Sequence, residues 1–296
     1  MSGRVHVFGS INIDYVHRVP HAPAAGETIS DLGRAVHLGG KGANQALAAA
    51  RAGASVRLAG AIGAEGAWTL NRLAAAEVDT AGVATIDAAT GHAVILVEPD
   101  GENRIVIHGG ANRAMPDAVL HAALEATEPG DWWVTQNETD RVAESLAAAR
   151  ARGLRTVHAA APFVAEDAAA VLPHTDVLAV NEGEAAALSQ HLGGMPPVKA
   201  MLVTRGSGGA VWRARTPDGG WRETAVPAFK VRAVDTTGAG DCFLGYTVAG
   251  LAAGLDAAAA MRRAAAAAAI AVTRPGAGDA IPEASEVDAF LAAAEA

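Results

Sequence analysis

The chain runs Val234-Asp235-Thr236-Thr237-Gly238-Ala239-Gly240-Asp241-Cys242-Phe243 late in its sequence, and this pattern predicts a tight loop that enters an apolar helix. A helix N-terminus presents unpaired backbone N–H groups and the positive end of the helix dipole. Gly238, Ala239 and Gly240 carry little or no side chain, so a phosphate group can approach those N–H groups closely. The stretch therefore predicts an anion site at the start of a helix.

Asp241 directly follows this predicted anion site, where a carboxylate would repel a bound phosphate. Its position is explained if it accepts the proton of a hydroxyl group that attacks the phosphate. An acid in the first turn of a helix can also simply stabilise the helix dipole, and for this stretch alone that is the simpler interpretation. Other segments of the chain are needed to distinguish a proton acceptor from an acid that only stabilises the helix dipole.

Composition argues against several classes of protein. The 296 residues are 51% hydrophobic and 19% charged, which suffices for a large buried core. The net charge of −9, without a basic block, argues against a nucleic-acid partner. No signal peptide is predicted, and the most apolar late run, 264–272, is far shorter than the roughly 20 residues that a bilayer requires. The single cysteine, Cys242, suits a reducing compartment, so we expect a cytoplasmic protein without a membrane partner.

Alternating strand and helix patterns predict a doubly wound α/β sheet. The run 4–8 is strand-like and ends at a glycine, and the alternation is regular after residue 117. Two segments, about 15–38 and about 91–108, interrupt it. The second contains Pro-Asp-Gly between two β runs, which is typical of a hairpin. We predict that the two segments pair and form a small β lid over a site.

Polar residues follow the predicted strands, at the edge where a doubly wound sheet binds its ligands. Asn12 and Asp14 follow the first strand and can bind sugar hydroxyls, although an Asx turn explains them equally well. Residues 39–47 place glycines and Asn44 at the start of a helix, without the spacing of a Walker A motif. Lys41 in this segment is either a phosphate ligand or a solvated loop residue.

Two further strand ends predict a nucleotide site. Residues 204–209 form a glycine-rich turn that suits nucleotide phosphates or the ribose edge. Asn181 and Glu184 are three residues apart at a helix start, where they could hold the water shell of Mg²⁺. The same two residues fit a capping box, and both interpretations can hold together. Ordinary turn chemistry explains the polar or glycine-rich residues at any single strand end. Their recurrence at several strand ends favours a ligand-binding site.

Three segments together resemble the ribokinase-like (PfkB) carbohydrate kinase family in order and in spacing. They are Gly9-Ser10-Ile11-Asn12-Ile13-Asp14, Gly39-Gly40-Lys41-Gly42-Ala43-Asn44-Gln45 and Asp235-Thr236-Thr237-Gly238-Ala239-Gly240-Asp241. The resemblance covers nearly the whole chain. It implies one ribokinase-like (Rossmann-like) α/β domain over residues 1–296, with helices flanking a doubly wound sheet and a small β lid that often mediates a homodimer.

The resemblance also implies an ATP-dependent sugar kinase that phosphorylates a hydroxymethyl group. Asp241 is implied as the catalytic base, with an anion hole formed by Gly238, Ala239 and Gly240. The implied sugar ligands are Asn12, Asp14, Gly40, Asn44, Glu138 and Asp241. The implied nucleotide ligands are Asn181, Thr204, Arg205, Gly206, Ser207, Gly208, Gly209 and Gly240. Glu184 is implied to act on Mg²⁺ indirectly, and the implied K⁺ positions are Asp235, Thr237, Ala271, Arg274, Gly276 and Ala280.

Some positions depart from the family pattern. The members most similar to this chain usually have Ser where Ala280 stands, and they have an apolar residue where Asn137 stands. Some members have Asn, which touches the nucleotide, where Ala265 stands. The departures concern the implied K⁺ site, the sugar preference and the nucleotide contacts.

Ribose is the expected sugar, and several alternatives stay open. Arg18, Arg34 and Arg104 lie in the predicted lid segments, so a keto-deoxy sugar acid or a phosphosugar is possible, as is fructose. A nucleoside would favour stacking aromatic residues, of which the lid offers little beyond Tyr15. A regulator that binds sugar or nucleotide without catalysis is the remaining alternative, although such a protein would not need the base.

Overall fold

The computed structural model describes residues 3–295, and residues 1, 2 and 296 of the predicted domain lie outside this range. The strands in this range are β1 (Val5–Phe8), β2 (Asn12–Arg18), β3 (Gly33–Gly39), β4 (Val56–Ile62), β5 (Asp79–Thr85), β6 (Gly91–Val97), β7 (Asn103–His108), β8 (Trp132–Gln136), β9 (Arg155–Ala159), β10 (Val177–Asn181), β11 (Ala200–Thr204), β12 (Ala210–Arg215) and β13 (Trp221–Val226).

The first six α-helices of the same range lie between strands, and the last three follow one another. They are α1 (Lys41–Arg51), α2 (Ala67–Ala75), α3 (Asp117–Glu125), α4 (Val142–Ala151), α5 (Ala165–Val171), α6 (Glu182–Leu192), α7 (Ala239–Ala252), α8 (Ala257–Ala271) and α9 (Ala284–Glu295). Within residues 3–295, none of these helices has both the length and the apolar character that crossing a membrane requires.

The main sheet has the order β13-β12-β11-β10-β9-β8-β1-β4-β5. β1 lies inside the sheet and pairs in parallel with both β4 and β8. From β1 the chain builds outward through β4 and β5, then returns to β8 and builds towards the other edge. The doubly wound sheet predicted from the sequence is thus confirmed. Its direction switches beside β1, and ligands bind such sheets at the strand ends next to that switch.

A second sheet has the order β3-β2-β6-β7, and we call it the small sheet. In it, β2 pairs in parallel with β6, and β6 and β7 form the predicted hairpin. β2 begins at Asn12, so Asn12 and Asp14 lie in a strand of the small sheet and not in a loop after β1. The β-branched Ile13 and Val16 favour an extended chain through this polar pair.

The edge of the main sheet differs from the sequence prediction, which places no strand over 210–226. β12 pairs antiparallel with β11, and β13 pairs antiparallel with β12. The two strands flank Asp218-Gly219-Gly220, a turn signal between β runs that the prediction overlooked. This hairpin leads the chain from the predicted nucleotide turn towards the start of α7.

Small residues allow α1 and α7 to pack closely. An added Cβ at Gly245 of α7 would lie 2.5 Å from the Cβ of Ala48 and 2.6 Å from the carbonyl oxygen of Gln45, both in α1. Neither neighbour is the flexible end of a side chain, so any larger residue must push the helices apart. The contact therefore holds the first turn of α7, which contains Asp241, against α1.

We expect Gly245→Ala to lower the free energy of unfolding by about 1–3 kcal/mol, because overpacking forces a backbone shift. Urea unfolding measures the change. Gly194→Ala is the matched control, since an added Cβ at Gly194 meets no atom within 4 Å. The control should leave the unfolding midpoint unchanged or slightly raised. Equal midpoints for the two variants would contradict the close packing of α1 and α7.

Candidate active site

Helix α7 begins beside a glycine that its surroundings require. Gly238 is the N-cap and has φ 72°, in the left-handed region. A Cβ at Gly238 would lie 2.9 Å from the Cβ of Ala277. The N–H of Ala239 donates back to the carbonyl oxygen of Thr236 at 3.2 Å. The N–H groups that follow in the first turn lack a partner within the helix, which is the arrangement that binds anions.

Two amide side chains of α1 hold the carboxylate of Asp241. Gln45 donates from Nε2 to Oδ1 at 2.8 Å, and Asn44 donates from Nδ2 to Oδ2 at 3.3 Å. Burial raises the pKa of Asp241 above its ordinary value, although the charge of Lys41 and the two hydrogen bonds oppose that rise. A carboxyl group with a raised pKa that is held by both oxygens is suited to accept a proton near neutral pH.

Glu138 lies at the end of β8 and is held in place by the neighbouring segments. Its Oε2 accepts a hydrogen bond from Ser10 Oγ at 2.5 Å and another from the backbone N–H of Lys41 at 3.0 Å. The ammonium group of Lys41 lies 3.8 Å from Oε1. Glu138 therefore connects the ends of β1 and β8 with the start of α1 and contacts two of the three sequence motifs, 9–14 and 39–45.

Asn12 and Gly40 meet at the junction of the small sheet and the main sheet. Asn12 Oδ1 accepts a hydrogen bond from Asn112 Nδ2 at 2.7 Å, which leaves the amide group of Asn12 as a donor. Gly40 is the N-cap of α1 with φ 91°, and a Cβ there would lie 2.8 Å from the backbone nitrogen of Asn12. Only glycine fits this conformation and this close approach.

Asp14 is the third carboxylate among the predicted sugar ligands, after Asp241 and Glu138. It packs over Gly39, where an added Cβ would lie 2.2 Å from its carboxylate. Burial and the negative charge of Glu138 raise the pKa of Asp14 to about 6. Within residues 3–295, no hydrogen-bond donor contacts its carboxylate. Above pH 6 it is therefore a charged acceptor that is available to hydroxyl groups of a ligand.

A cavity of about 540 Å³ opens at the start of α7. Its lining includes five residues predicted for the nucleotide site: Thr204, Gly206, Ser207, Gly209 and Gly240. The lining also includes Ala239 of the predicted anion hole. Helix α8 contributes Ala265, Ala268 and Ala269. The structure thus brings most of the residues predicted for the nucleotide and the first turn of α7 to one cavity.

Three residues predicted for the nucleotide do not line this cavity: Asn181, Arg205 and Gly208. Asn181 nevertheless pairs with Thr204 in the register of β10 and β11, so it lies beside the cavity. The side chain of Arg205 is directed towards Glu182, with Nε 3.1 Å from Oε1.

Asn181 and Glu184 form the capping box of α6. Asn181 Oδ1 accepts from the backbone N–H of Glu184 at 2.9 Å, and Glu184 Oε2 accepts from the backbone N–H of Asn181 at 2.8 Å. The interpretation of Asn181 and Glu184 as a capping box is therefore correct. The second carboxylate oxygen of Glu184 has no part in the capping box and remains able to bind a hydrated cation.

Asp235 joins the two segments assigned to K⁺. Its Oδ1 accepts from the backbone N–H of Thr237 and its Oδ2 from that of Gly276, each at 2.9 Å. Burial opposes its ionisation, but these hydrogen bonds lower the pKa of Asp235 below the ordinary value. The guanidinium of Arg274 pairs with Glu286 at 2.5 Å, and because a guanidinium has no acceptor atom, Arg274 could contact a cation only through its backbone oxygen.

Comparison with known proteins decides the family. The model of the pfkB family carbohydrate kinase matches residues 2–284. The chain belongs to the PfkB family of carbohydrate kinases. This confirms the family that the sequence motifs resemble, and with it the ribokinase-like fold.

This PfkB kinase is similar to curated ribokinases over nearly its whole length. The ribokinase of Haemophilus influenzae is 34% identical, covering 96% of this chain and 97% of the relative. That of Bacillus subtilis is also 34% identical, covering 96% and 98%. Among solved structures, the ribokinase of Cryptococcus neoformans in complex with ADP has a TM-score of 0.85 and 34% identity, covering 97% of this chain and 99% of that one. The Arabidopsis thaliana ribokinase complexed with ribose and ATP has a TM-score of 0.85 and 27% identity, covering 98% and 99%.

Sequence reasoning missed two parts of this PfkB kinase site. The first is Gln45 and Gln136, which lie behind Asp241 in a hydrogen-bonded series. The second is the segment 228–231, which follows β13 and lines the cavity with Phe229, Lys230 and Val231. The available signal for the segment was an apolar run directly before the motif that starts α7. No sequence signal joins the two glutamines, because they are 91 residues apart.

Proposed function

We propose that this PfkB-family kinase transfers the γ-phosphoryl group of ATP to the hydroxymethyl group of D-ribose, which yields ribose 5-phosphate. The observation that carries the proposal is the position of Asp241. It hydrogen-bonds to Asn44 of the sugar-assigned cluster, and it shares the first turn of α7 with residues that line the nucleotide-sized cavity. A proton acceptor between these two sites is what hydroxyl phosphorylation needs. The ribokinases among the relatives support ribose as the sugar.

In the proposed reaction, Asn12, Asp14 and Asn44 orient the sugar through its hydroxyl groups. Asp241 accepts the proton of the hydroxymethyl group while that oxygen attacks the γ-phosphorus and ADP leaves. The N–H groups at the start of α7 stabilise the negative oxygens of the transferred group. Mg²⁺, bound with the nucleotide, supplies positive charge that offsets the phosphate charges. Glu184, whose second oxygen is not used by the capping box, would act on the water shell of that ion.

Charge in the sugar cluster disfavours the anionic alternatives. Asp14 and Glu138 are negative and would repel a sugar acid or a phosphosugar. Two arginines of the small sheet, Arg34 and Arg104, do not offset this negative charge. Strand register pairs Arg34 with His17, whose side chain alternates to the face opposite Asp14, and Arg104 pairs with Glu98 at 3.4 Å. Arg18 does share the face of Asp14, but it lies four residues further along β2, so a neutral sugar fits the surroundings of Asp14 better than an anionic one.

A nucleoside lacks a stacking partner in the same cluster. Tyr15 follows Asp14 directly in β2, so its ring lies on the opposite face of the small sheet. There it contacts His92 in an edge-on arrangement and the guanidinium of Arg34, which lies 5.3 Å from the ring centroid. The only aromatic residue that the sequence offered for nucleoside stacking is thus engaged on the other face.

The direct test is ADP release from Mg-ATP with ribose, deoxyribose, fructose, keto-deoxygluconate and adenosine as acceptors. Selective turnover of ribose supports the proposal. Selective turnover of another acceptor would keep the mechanism and replace the substrate. Protein that binds ATP and ribose but releases no ADP with any acceptor would contradict catalysis and favour a binding role.

K⁺ is the proposed monovalent activator, and the residues present fit it. Asp235 is ionised and links the segment before α7 to the loop after α8, because it accepts a hydrogen bond from the backbone N–H of Gly276. Ala280 is buried and provides no side-chain oxygen, so the site would depend more on Asp235. We expect K⁺ to raise kcat relative to a bulky organic cation, and Asp235→Ala to remove most of this difference. Equal kcat values with and without K⁺ in the unaltered protein would contradict the assignment.

We further propose that residues 1–296 act as one cytoplasmic kinase domain whose small sheet serves as a lid and as the contact of a homodimer. Val36, Val94 and Val106 share one face of the small sheet, because Tyr15 pairs with the first two and Val94 pairs with Val106. All three are exposed, Val106 to 72%. An aligned apolar face of this kind is typical of an association surface.

We expect Val106→Glu to convert the homodimer into a monomer, because it places a charge on the most exposed of the three valines of the proposed contact. Sedimentation equilibrium measures the mass. Val164→Glu is the matched control, since Val164 is also exposed but lies away from the small sheet. A monomeric unaltered protein, or a dimer that survives Val106→Glu, would contradict this contact.

A further inference from the structure

Two buried glutamines connect the carboxylate of Asp241 to the end of β8. Gln136 Nε2 donates to Gln45 Oε1 at 2.7 Å, and Gln45 Nε2 donates to Asp241 Oδ1 at 2.8 Å. Gln136 is fully buried and Gln45 is 2% exposed. Water therefore has little access to either amide, and each depends on the other for a hydrogen bond.

The charge of Asp241 determines the direction of this series. An ionised carboxylate accepts hydrogen bonds only, so Gln45 must turn its NH₂ group towards it. The carbonyl oxygen of Gln45 then faces Gln136, which must offer its own NH₂ group. A glutamine turned the other way would bring two acceptor oxygens together at one of the two contacts.

This direction is unfavourable for the last amide of the series, that of Gln136. Gln136 Oε1 is buried and has no hydrogen-bond partner within residues 3–295. It faces Gly9, where an added Cβ would lie 2.3 Å from the oxygen, so no side chain at that position can approach it. An orphaned buried acceptor is unfavourable, so its presence indicates that the opposite end of the amide has the more important contact.

We propose that Gln136 is a positioning residue for the phosphoryl transfer: it fixes the orientation of the Gln45 amide, which in turn keeps Asp241 ionised and directed towards the hydroxyl group that attacks. The inference rests on the proposed function, because it presumes that Asp241 is the base. It assigns to the glutamines of α1 and β8 a role beyond packing. Both act through Asp241, and neither needs to touch the substrate.

Removing the donors should raise the pKa of Asp241, because burial alone disfavours its charged form. A hydrogen bond to a charged group is equivalent to a pKa shift of about 1–2 units. We therefore expect Gln45→Met to move the acidic limb of the kcat–pH profile upward by about 1 unit or more, and Gln136→Met to move it less. In both variants higher pH restores kcat, and the KM for the sugar stays within about twofold.

Gln136→Glu should give the opposite pH response. When the introduced carboxyl group is protonated, it can still donate to Gln45 Oε1 and the series keeps its direction. When it ionises, it draws the NH₂ group of Gln45 towards itself and turns the Gln45 oxygen to Asp241. The kcat of this variant is therefore expected to fall as pH rises, whereas that of Gln136→Met rises. A purely structural role would not produce opposite slopes from two substitutions at one position.

The experiment compares these three variants with Gln190→Met, the matched control at an exposed glutamine of α6. Two readouts are used: the kcat–pH profile, and the carboxyl ¹³C titration of Asp241 in protein labelled at aspartate, with the signal assigned by its loss in Asp241→Asn. Opposite slopes and a raised Asp241 pKa in Gln45→Met support the proposal. An Asp241 titration that is the same in all variants overturns it. The titration needs no turnover, so it decides the proposal even if no sugar is phosphorylated, an outcome that would count against the proposed function alone.

Discussion

Replacing Asp241 with asparagine is expected to lower kcat by about 10²–10⁴-fold, because the amide cannot accept the proton of the attacking hydroxyl group. Asparagine has nearly the same shape, so α7 should keep its packing against α1. The folded protein should tolerate the loss of a partly buried charge, although the new NH₂ group faces the NH₂ group of Asn44 or Gln45 until that amide turns over. The loss should therefore appear in kcat, with the KM values for sugar and ATP changed only a few-fold.

Steady-state kinetics with calorimetric titration of ATP and ribose separates these quantities. Asp87→Asn is the matched control, since Asp87 is exposed and away from the site. It should leave both kcat and binding unchanged. An Asp241→Asn variant with nearly normal kcat would show that another group accepts the proton. A variant that binds neither ligand would instead indicate that Asp241 is needed for the site to form.

Replacing Asp14 with alanine is expected to raise the KM for the sugar by about 10²-fold or more. Each hydrogen bond from a sugar hydroxyl to a charged acceptor contributes about 1.5–3 kcal/mol, and Asp14 has two oxygens that no donor within residues 3–295 occupies. The KM for ATP should stay within about twofold, because the nucleotide cavity has no lining residue in β2. Asp100→Ala, in the turn between β6 and β7, is the control in the same small sheet.

The raised pKa of Asp14, about 6, adds a pH dependence with a definite sign. Above that pH the group is ionised and accepts hydrogen bonds; as pH falls through it, protonation removes the charge and one acceptor oxygen. Ribose affinity, measured calorimetrically without nucleotide, should therefore weaken as pH falls through about 6. Asp14→Asn should bind weakly at every pH and lose this dependence. An affinity that does not change across this range, or the same change in Asp14→Asn, would contradict the role of Asp14.

Much of the site could be predicted because its chemistry is contained in short motifs. The start of α7 follows from Gly238 to Asp241, where glycines without side chains precede an acid and an apolar helix. Asn12 and Asp14 were also recognisable as candidate ligands. Their place in a strand was not, since a polar pair gives no clear strand pattern and the pairing of β2 with β3 and β6 decides the conformation.

Other features depend on tertiary contacts that no local pattern contains. Gln45 and Asp241 are 196 residues apart, and only the packing of α1 on α7 brings them within hydrogen-bond distance. The capping box of Asn181 and Glu184, by contrast, is visible in sequence because its two members are three residues apart. Prediction thus succeeded for the capping box, whose partners lie within one turn of a helix, and failed for Gln45, whose partner only the fold supplies.

The central claim is that Asp241 accepts the proton of the ribose hydroxyl group while the γ-phosphoryl group of ATP is transferred to it, and one measurement tests this most directly. Protein in excess of γ-labelled ATP is mixed with D-ribose and Mg²⁺, and the labelled product is identified by NMR. We expect ribose 5-phosphate to form in one turnover, and we expect Asp241→Asn to form it about 10²–10⁴-fold more slowly while still binding both ligands. Label that stays on ATP in the unaltered protein, or equal rates in both proteins, would contradict it.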